Sequence, residues 1–357
     1  MTPVRKLPTA VVCLSKNAGG MEWAAIAIAN TMAEVAEQSI LITRAGTWLF
    51  HQAKKNGCLV ESVEMQGNVS PITAYQLRRI WAEHCIGNIV YLGSSEMPTL
   101  FMSLLGSDIN LIVRHGTTKS RSKQDAIHRF TWSKVRAHWC ISEHIRKNVK
   151  SIFPIAGKEC FLAYTSQSHK FGEIPKCRTG RPDGEPVKLI HIGRLQKDKG
   201  QRDAILVTDV LNKRGLSATL TLYGDGPDRQ YLQEMACQLG LEERLCFMGD
   251  VERPYRYFNR FDAFVFPSSG EGLPNAFLEA MASGIPCFVY DNTVFPELSS
   301  LGLQFEISRQ GDYEGMAQRI LEVCIQQRAV QFHSNIELMH HIFSAELEHA
   351  VLRDYLR

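Results

Sequence analysis

Short apolar runs alternate with longer amphipathic stretches along the whole chain, and that alternation most constrains what it can fold into. A continuous apolar run bounded by turn residues reads as a strand buried on both faces, the kind found where crossover helices cover a parallel sheet. In the first half the runs fall at residues 9–14, 39–43, 88–92, 109–113 and 138–141; in the second half they fall at 187–192, 218–223, 245–248, 263–266 and 286–290. Residues 21–37, 313–327 and 344–357 carry helical patterns. The two series are separated by residues 165–186, rich in Gly, Pro, Ser and charge and almost free of apolar side chains, which reads as a linker. The expected class is therefore α/β with two parallel sheets, in keeping with a length of 357 residues, about twice a usual domain. The expected division is an N-terminal domain over 1–170, a linker over 171–186 and a second domain over 187–340. A terminal helix over 341–357 is expected to pack back toward the first.

Composition removes several classes. No stretch approaches the roughly 18 consecutive apolar residues of a membrane span. The apolar run within residues 1–14 is too short for a secretory leader, so a cytoplasmic protein is expected. Ten cysteines are scattered without a C-x-x-C pair, and Cys13, Cys140, Cys160, Cys246 and Cys287 sit inside strand-like apolar runs. They read as reduced core residues, neither a disulfide framework nor a zinc site. A net charge of +3 names no partner by itself.

In doubly wound domains ligands bind where strand C-termini and helix N-termini converge, so residues just after strands carry the chemistry. After the first strand comes Ser15-Lys16-Asn17-Ala18-Gly19-Gly20 and then a helical run. The paired glycines allow close backbone approach and the helix start favours an anion, although a tight turn explains them equally well. After residues 187–192 comes Gly193-Arg194-Leu195-Gln196-Lys197-Asp198-Lys199-Gly200, in which Arg194 offers a planar fork and Lys199 a point charge for phosphate oxygens. The following Tyr223-Gly224-Asp225-Gly226-Pro227 is explained by turn geometry alone. The sharpest pattern is Pro267-Ser268-Ser269-Gly270-Glu271-Gly272-Leu273-Pro274-Asn275-Ala276-Phe277-Leu278-Glu279-Ala280. It puts Glu271 in a loop and Glu279 on a helix with an apolar side. No local group pairs with Glu279, which makes a ligand hydroxyl a candidate partner; favourable placement of an acid in an early helical turn is the alternative.

Taken in order, Gly19-Gly20, Gly193-Arg194-Leu195 with Lys199, Gly224-Asp225-Gly226-Pro227 and Glu271-Gly272-Leu273-Pro274 with Glu279 resemble the glycogen-synthase-like group of retaining glycosyltransferases, the family 4 type of bacterial lipopolysaccharide and capsule assembly. The resemblance implies a GT-B fold, two Rossmann-like α/β domains facing each other across a deep cleft. It implies a nucleotide-sugar donor, UDP being the nucleotide common in that group, and a glycan or lipid-linked acceptor. Arg194 and Lys199 would bind the diphosphate and Glu279 the ribose hydroxyls. Glu271 and the backbone of Gly272, Leu273, Pro274 and Asn275 would face the transferred sugar and its phosphate. Gly19 and Gly20 would approach that phosphate, His115 would contact sugar or acceptor, and the base would lie near Gly249 and Val251. Glu271 and His115 are thus the implied catalytic residues. The chain departs from the group where Tyr164-Thr165-Ser166-Gln167 stands in place of an Asn-Gly-(Val/Ile)-Asp turn. No D-x-D occurs, so no metal is expected; Lys, Arg and backbone N–H groups would hold the diphosphate instead. A nucleotide-sugar epimerase or sugar-phosphate synthase on the same scaffold, and a non-catalytic nucleotide or glycan binder, are the competing readings.

Residues 114–150 hold Arg114, Lys119, Arg121, Lys123, Arg129, Lys134, Arg136, Arg146, Lys147 and Lys150 against Asp125 and Glu143 alone. Phe130, Trp132 and Trp139 interleave them. No nucleic-acid motif accompanies the segment and the rest of the chain is not basic, so nucleic acid is not the expected partner. An anionic membrane surface or a phosphorylated lipid-linked acceptor is, with a merely solvated face as the alternative.

Overall fold

Each series of apolar runs assembles its own parallel sheet in the computed structural model, which describes residues 7–356 except 179, 183 and 326–331. The chain divides into one unit of Met1–Thr165 with Ala345–Arg357 and a second of Ser166–Ser344.

The first unit runs β1 (Thr9–Cys13), α1 (Gly20–Val35), β2 (Ser39–Arg44), α2 (Trp48–Lys55), β3 (Val60–Val63), α3 (Pro71–Glu83), β4 (Asn88–Leu92), α4 (Met97–Ser103), β5 (Asn110–His115), α5 (Ala126–Thr131), β6 (Val135–Cys140), α6 (Glu143–Ile152) and β7 (Glu159–Leu162). Its sheet has the order β3-β2-β1-β4-β5-β6-β7. All five residues of β1 are buried because the strand lies between β2 and β4, with Val11 beside both Leu41 and Val90. Several helices start at side-chain caps: Thr47 accepts from the Phe50 N–H, Ser70 from Thr73, Asp125 from His128 and Ser142 from Ile145.

The second unit runs α7 (Ser168–Phe171), β8 (Val187–Ile192), α8 (Gln201–Lys213), β9 (Ala218–Tyr223), α9 (Arg229–Gln238), β10 (Leu245–Gly249), β11 (Ala263–Phe266), α10 (Asn275–Ser283), β12 (Cys287–Tyr290), α11 (Phe295–Ser300), β13 (Glu306–Ser308), α12 (Tyr313–Ile325) and α13 (Ser334–Ile342), with strand order β10-β9-β8-β11-β12-β13. The last helix, α14 (Ala345–Tyr355), belongs to the first unit, where Leu352 joins the core formed by α1 and the sheet. There the Tyr355 ring stacks on Phe161 at 3.7 Å and its carbonyl accepts from Asn110 Nδ2 at 2.8 Å.

The expected α/β class with two parallel sheets is the one observed. Strands β3, β7 and β13 add to the ten apolar runs; β3 and β7 edge one sheet and β13 the other, and their short, half-buried sequences carry no continuous apolar signal. The expected ends at Gln327 and Arg357 lie outside the described residues. Cys246 is a correction: it is exposed, because β10 is an edge strand with alternating exposure. The stretch read as linker is docked on the second unit, where Arg178 grips Asp262 with two bonds of 2.7 Å and the Cys177 N–H donates to the Ser283 carbonyl.

Candidate functional site

In the second sheet the chain leaves β8 for β9 on one side and β11 for β12 on the other, so the loops after β8 and β11 flank the switch point at the strand ends, where doubly wound sheets have their ligand crevice. Lys199 and Glu271 meet there. The Lys199 ammonium lies 2.8 Å from Glu271 Oε1 and 3.8 Å from Asp198 Oδ2. Ser268 Oγ sits 2.6 Å from the same Glu271 oxygen and 2.9 Å from the Asp198 carbonyl, and the Ser269 N–H donates to that carbonyl at 2.8 Å. Underneath, buried His191 holds the Lys199 carbonyl at 2.9 Å through Nε2; burial lowers its pKa to about 4, so it is neutral. The two loops touch so closely that a Cβ on Gly200, at φ +79°, would stand 2.2 Å from the Pro267 carbonyl oxygen. Arg194, on the same loop, is exposed, and its carbonyl is held by Gln201 Nε2 at 2.9 Å.

Helix α10 leaves the β11 loop at Pro274, so its first N–H groups are presented at the crevice along with Gly272, Leu273 and Asn275. Glu279 lies further along it, almost fully buried, and burial raises its carboxyl pKa while Lys170 opposes the rise. The expectation that no local group pairs with Glu279 is corrected: Lys170 Nζ, on α7, is 2.7 Å from its Oε1. Close by, Gln167 Nε2 donates to Asn275 Oδ1 at 3.3 Å, so the departing tetrapeptide reaches the start of α10. Sequence reasoning missed Lys170 and Ser268. A lone lysine in a segment without apolar pattern carries no signal, and Ser268 lay in the motif without a charge to mark it.

The glycines after β9 are accounted for by packing. A Cβ on Gly224 would lie 2.2 Å from the Gly193 carbonyl oxygen and one on Gly226 would lie 2.3 Å from that of Leu195. The Gly224 N–H donates to Gly249 at 2.8 Å and Asp225 N to Asp250 Oδ1 at 3.1 Å, which seats the turn before half-buried Val251 beside the β9 loop.

In the first unit Gly19 and Gly20 open α1. Neither is demanded by packing or backbone: Gly19 is extended, a Cβ on it meets only Glu22 Oε2 at 3.4 Å, and one on Gly20 meets nothing within 4 Å. His115 ends β5 as a buried side chain, its Nε2 2.9 Å from His138 Nδ1 and its ring against Trp132 and Phe153. Burial, then neighbouring His138, push its pKa well below the ordinary value, and it is neutral. Its neighbour Arg114 is also buried and donates to Thr165 Oγ1 at 2.9 Å. The structure therefore joins Lys199 to Glu271 directly, joins Glu279 to Lys170, leaves Arg194 exposed and buries His115.

Residues 178–336 match the family model described as glycosyl transferases group 1. That span carries every site residue of the second unit from Arg194 to Glu279. Among curated relatives, the putative glycosyltransferase EpsF of Bacillus subtilis is 36% identical over 118 residues, 33% of this chain and 31% of its own. The lipopolysaccharide 1,6-galactosyltransferase of Salmonella typhimurium is 27% identical over 192 residues, 52% of each. The chain thus spans about a third to a half of the length of these relatives. Whole-chain likeness comes from solved structures. A glycosyltransferase of Rickettsia africae superimposes with TM-score 0.80 at 13% identity, covering 99% of this chain and 98% of that one. Anabaena HepE, solved with UDP and glucose, superimposes with TM-score 0.77 at 16% identity, covering 98% of each. The fold is that of GT-B glycosyltransferases.

Proposed function

We propose that the chain is a retaining, metal-independent glycosyltransferase that moves a sugar from a nucleoside diphosphate sugar, a UDP-sugar in particular, to a glycan or glycolipid acceptor in cell-envelope polysaccharide or lipopolysaccharide assembly. The observation that carries this reading is the Lys199–Glu271 pair at the switch point between β8 and β11, beside the N-terminus of α10. Breaking the anomeric C–O bond leaves negative charge on the departing diphosphate. Lys199, Arg194 and the first N–H groups of α10 are positive groups at one end of one sheet, and preorganised donors of this kind are worth about 3 kcal/mol each, roughly a hundredfold in rate. Lys199 is held in place by a carboxylate that a bound diphosphate would relieve of part of that partnership, leaving Glu271 to accept from sugar hydroxyls. Glu279 and Lys170 would divide the ribose hydroxyls and a donor oxygen between them. His115 serves as a neutral hydrogen-bonding imidazole, since burial denies it a proton at neutral pH. Similarity to a lipopolysaccharide 1,6-galactosyltransferase and to HepE, solved with UDP and glucose, supports the donor and pathway class.

The test is a panel of UDP-, GDP- and ADP-sugars incubated with lipid-linked and free glycan acceptors in EDTA, with released nucleotide quantified and the product anomer read by NMR. Release with an α-linked product from an α-donor is expected. Loss in chelator restored by Mg²⁺ or Mn²⁺ overturns the metal-independent site, and a β-linked product overturns retention.

A further inference from the structure

Among the described residues, the most exposed large apolar side chains belong to helices α3 and α5 of the first unit and the turn before α3. Ile127 and Phe130 on α5 are 73% and 64% exposed, and no residue of that helix is buried. Ile72 and Tyr75 on α3 are 73% and 65% exposed, with Val69 just before them. Helix α4 packs between the elements that carry them. The Phe130 ring meets Phe101 of α4 at 4.8 Å, Ser70 N donates to Thr99 of α4 at 2.9 Å, and Arg78 of α3 donates to the carbonyl of Leu105, itself exposed, just past α4. Sheet order accounts for this placement. Strands are added to one side of β1 up to β3 and to its other side from β4 onward, and right-handed crossovers then put α3, α4 and α5 on the face opposite α1 and α14. A soluble face does not need this much apolar side chain at its summit.

The loop before α5 and α5 itself are strongly cationic, whereas exposed Glu64, Glu83 and Asp108 stand beside α3 and α4. Lys119, Arg121 and Arg129 are exposed and Lys123 half-exposed, while the acidic neighbour, Asp125, is spent on capping α5 and on His128. The loop bearing these cations is fixed on α6: Lys119 and Asn148 exchange two hydrogen bonds, and the Lys123 N–H donates to the Ile152 carbonyl. The cations are therefore presented by an ordered platform. Of the basic run seen in the sequence, Arg114 is buried and Arg146 is paired with Glu143.

We propose that this α3–α4–α5 face docks on an anionic lipid surface, with Phe130 and Ile127 entering the acyl boundary and Lys119, Arg121, Lys123 and Arg129 meeting the headgroups. Apolar tips beside cations fit an anionic bilayer, because apolar burial and headgroup charge then act on the same few residues. No helix among the described residues is long and apolar enough to cross a membrane, so the attachment is peripheral and reversible. The inference is independent of which donor or acceptor the protein uses.

The experiment is flotation of the full chain with vesicles of pure phosphatidylcholine and of phosphatidylcholine with 30% phosphatidylglycerol, each at low and high salt. Binding to the anionic vesicles alone, weakened by salt, is expected. The double variant Arg121→Glu, Arg129→Glu should lower partitioning at least 30-fold, and Ile127→Asp with Phe130→Asp should lower it tenfold or more at unchanged thermal stability. Binding to neither vesicle, equal binding to both, or binding unaffected by the Ile127 and Phe130 changes overturns the proposal. So does a finding that the face instead pairs two copies of the chain, seen as a dimer by light scattering that the Phe130 variant dissolves.

Discussion

Lys199 is the residue on which the site's chemistry turns, because it is the cation fixed at the crevice by a neighbouring carboxylate. Lys199→Ala should lower kcat/KM about a hundredfold, and an equal fall for Arg194→Ala would put both cations on the diphosphate. The two glutamates should separate by role. Glu271→Gln should mainly depress kcat, since its oxygen lies with Lys199 and Ser268 at the crevice, whereas Glu279→Ala should mainly raise donor KM. Steady-state kinetics on each variant checks this, and the reverse pattern would refute the assignment. Arg194, Lys199, Glu271 and Glu279 stand out in the sequence as charged side chains in, or on the helix after, loops that follow apolar strands. Their partners do not. Lys170 is 109 positions from Glu279, and only the folding of α7 against α10 makes them an ion pair.

At the scale of the element, the glycines fall into two groups that look alike in sequence and differ in cause. Gly200 and Gly224 are required because loop backbones pass within van der Waals contact, and Gly200→Ala should destabilise the second unit by about 2 kcal/mol or more, given its positive φ and a Cβ at 2.2 Å from a carbonyl oxygen. Gly20 has neither constraint, so Gly20→Ala should leave the melting temperature within about a degree while lowering donor turnover. Thermal denaturation alongside turnover of the two variants measures both. A stability loss in Gly20→Ala would return that turn to a purely structural role. The central strands were legible because burial on both faces demands unbroken apolar sequence. The edges β3, β7 and β13 escaped because one flank lies open, so a residue such as Glu61 or Glu159 can occupy them.

For the whole molecule, acid should be the sharpest denaturant. His115 and His138 in the first unit and His191 in the second are buried and neutral; burial lowers His138 to about 3 and His191 to about 4, and His115 well below its ordinary value. An unfolded chain binds these three protons as pH falls through about 6.5, while the folded chain does not. Stability is therefore full above that pH and declines as pH falls from 6.5 toward 4, by about 1.4 kcal/mol per pH unit for each histidine, hence about twice as steeply in the first unit. Urea midpoints at pH 7.5, 6.5, 5.5 and 5.0 should be flat and then fall; a midpoint unchanged down to pH 5 would show the histidines to be solvated. Two parallel sheets were readable from the apolar alternation, while which strands flank each switch point was not, since strand order is set by crossover packing and leaves no local mark. That order is what brings the β8 and β11 loops together, and the claim that they hold a nucleoside diphosphate is open to direct measurement. In isothermal titration with UDP, GDP and ADP in EDTA, the intact chain should bind one of them, and Lys199→Ala should bind it at least tenfold more weakly at unchanged stability. No binding to any of the three, or equal binding by the variant, would contradict the account.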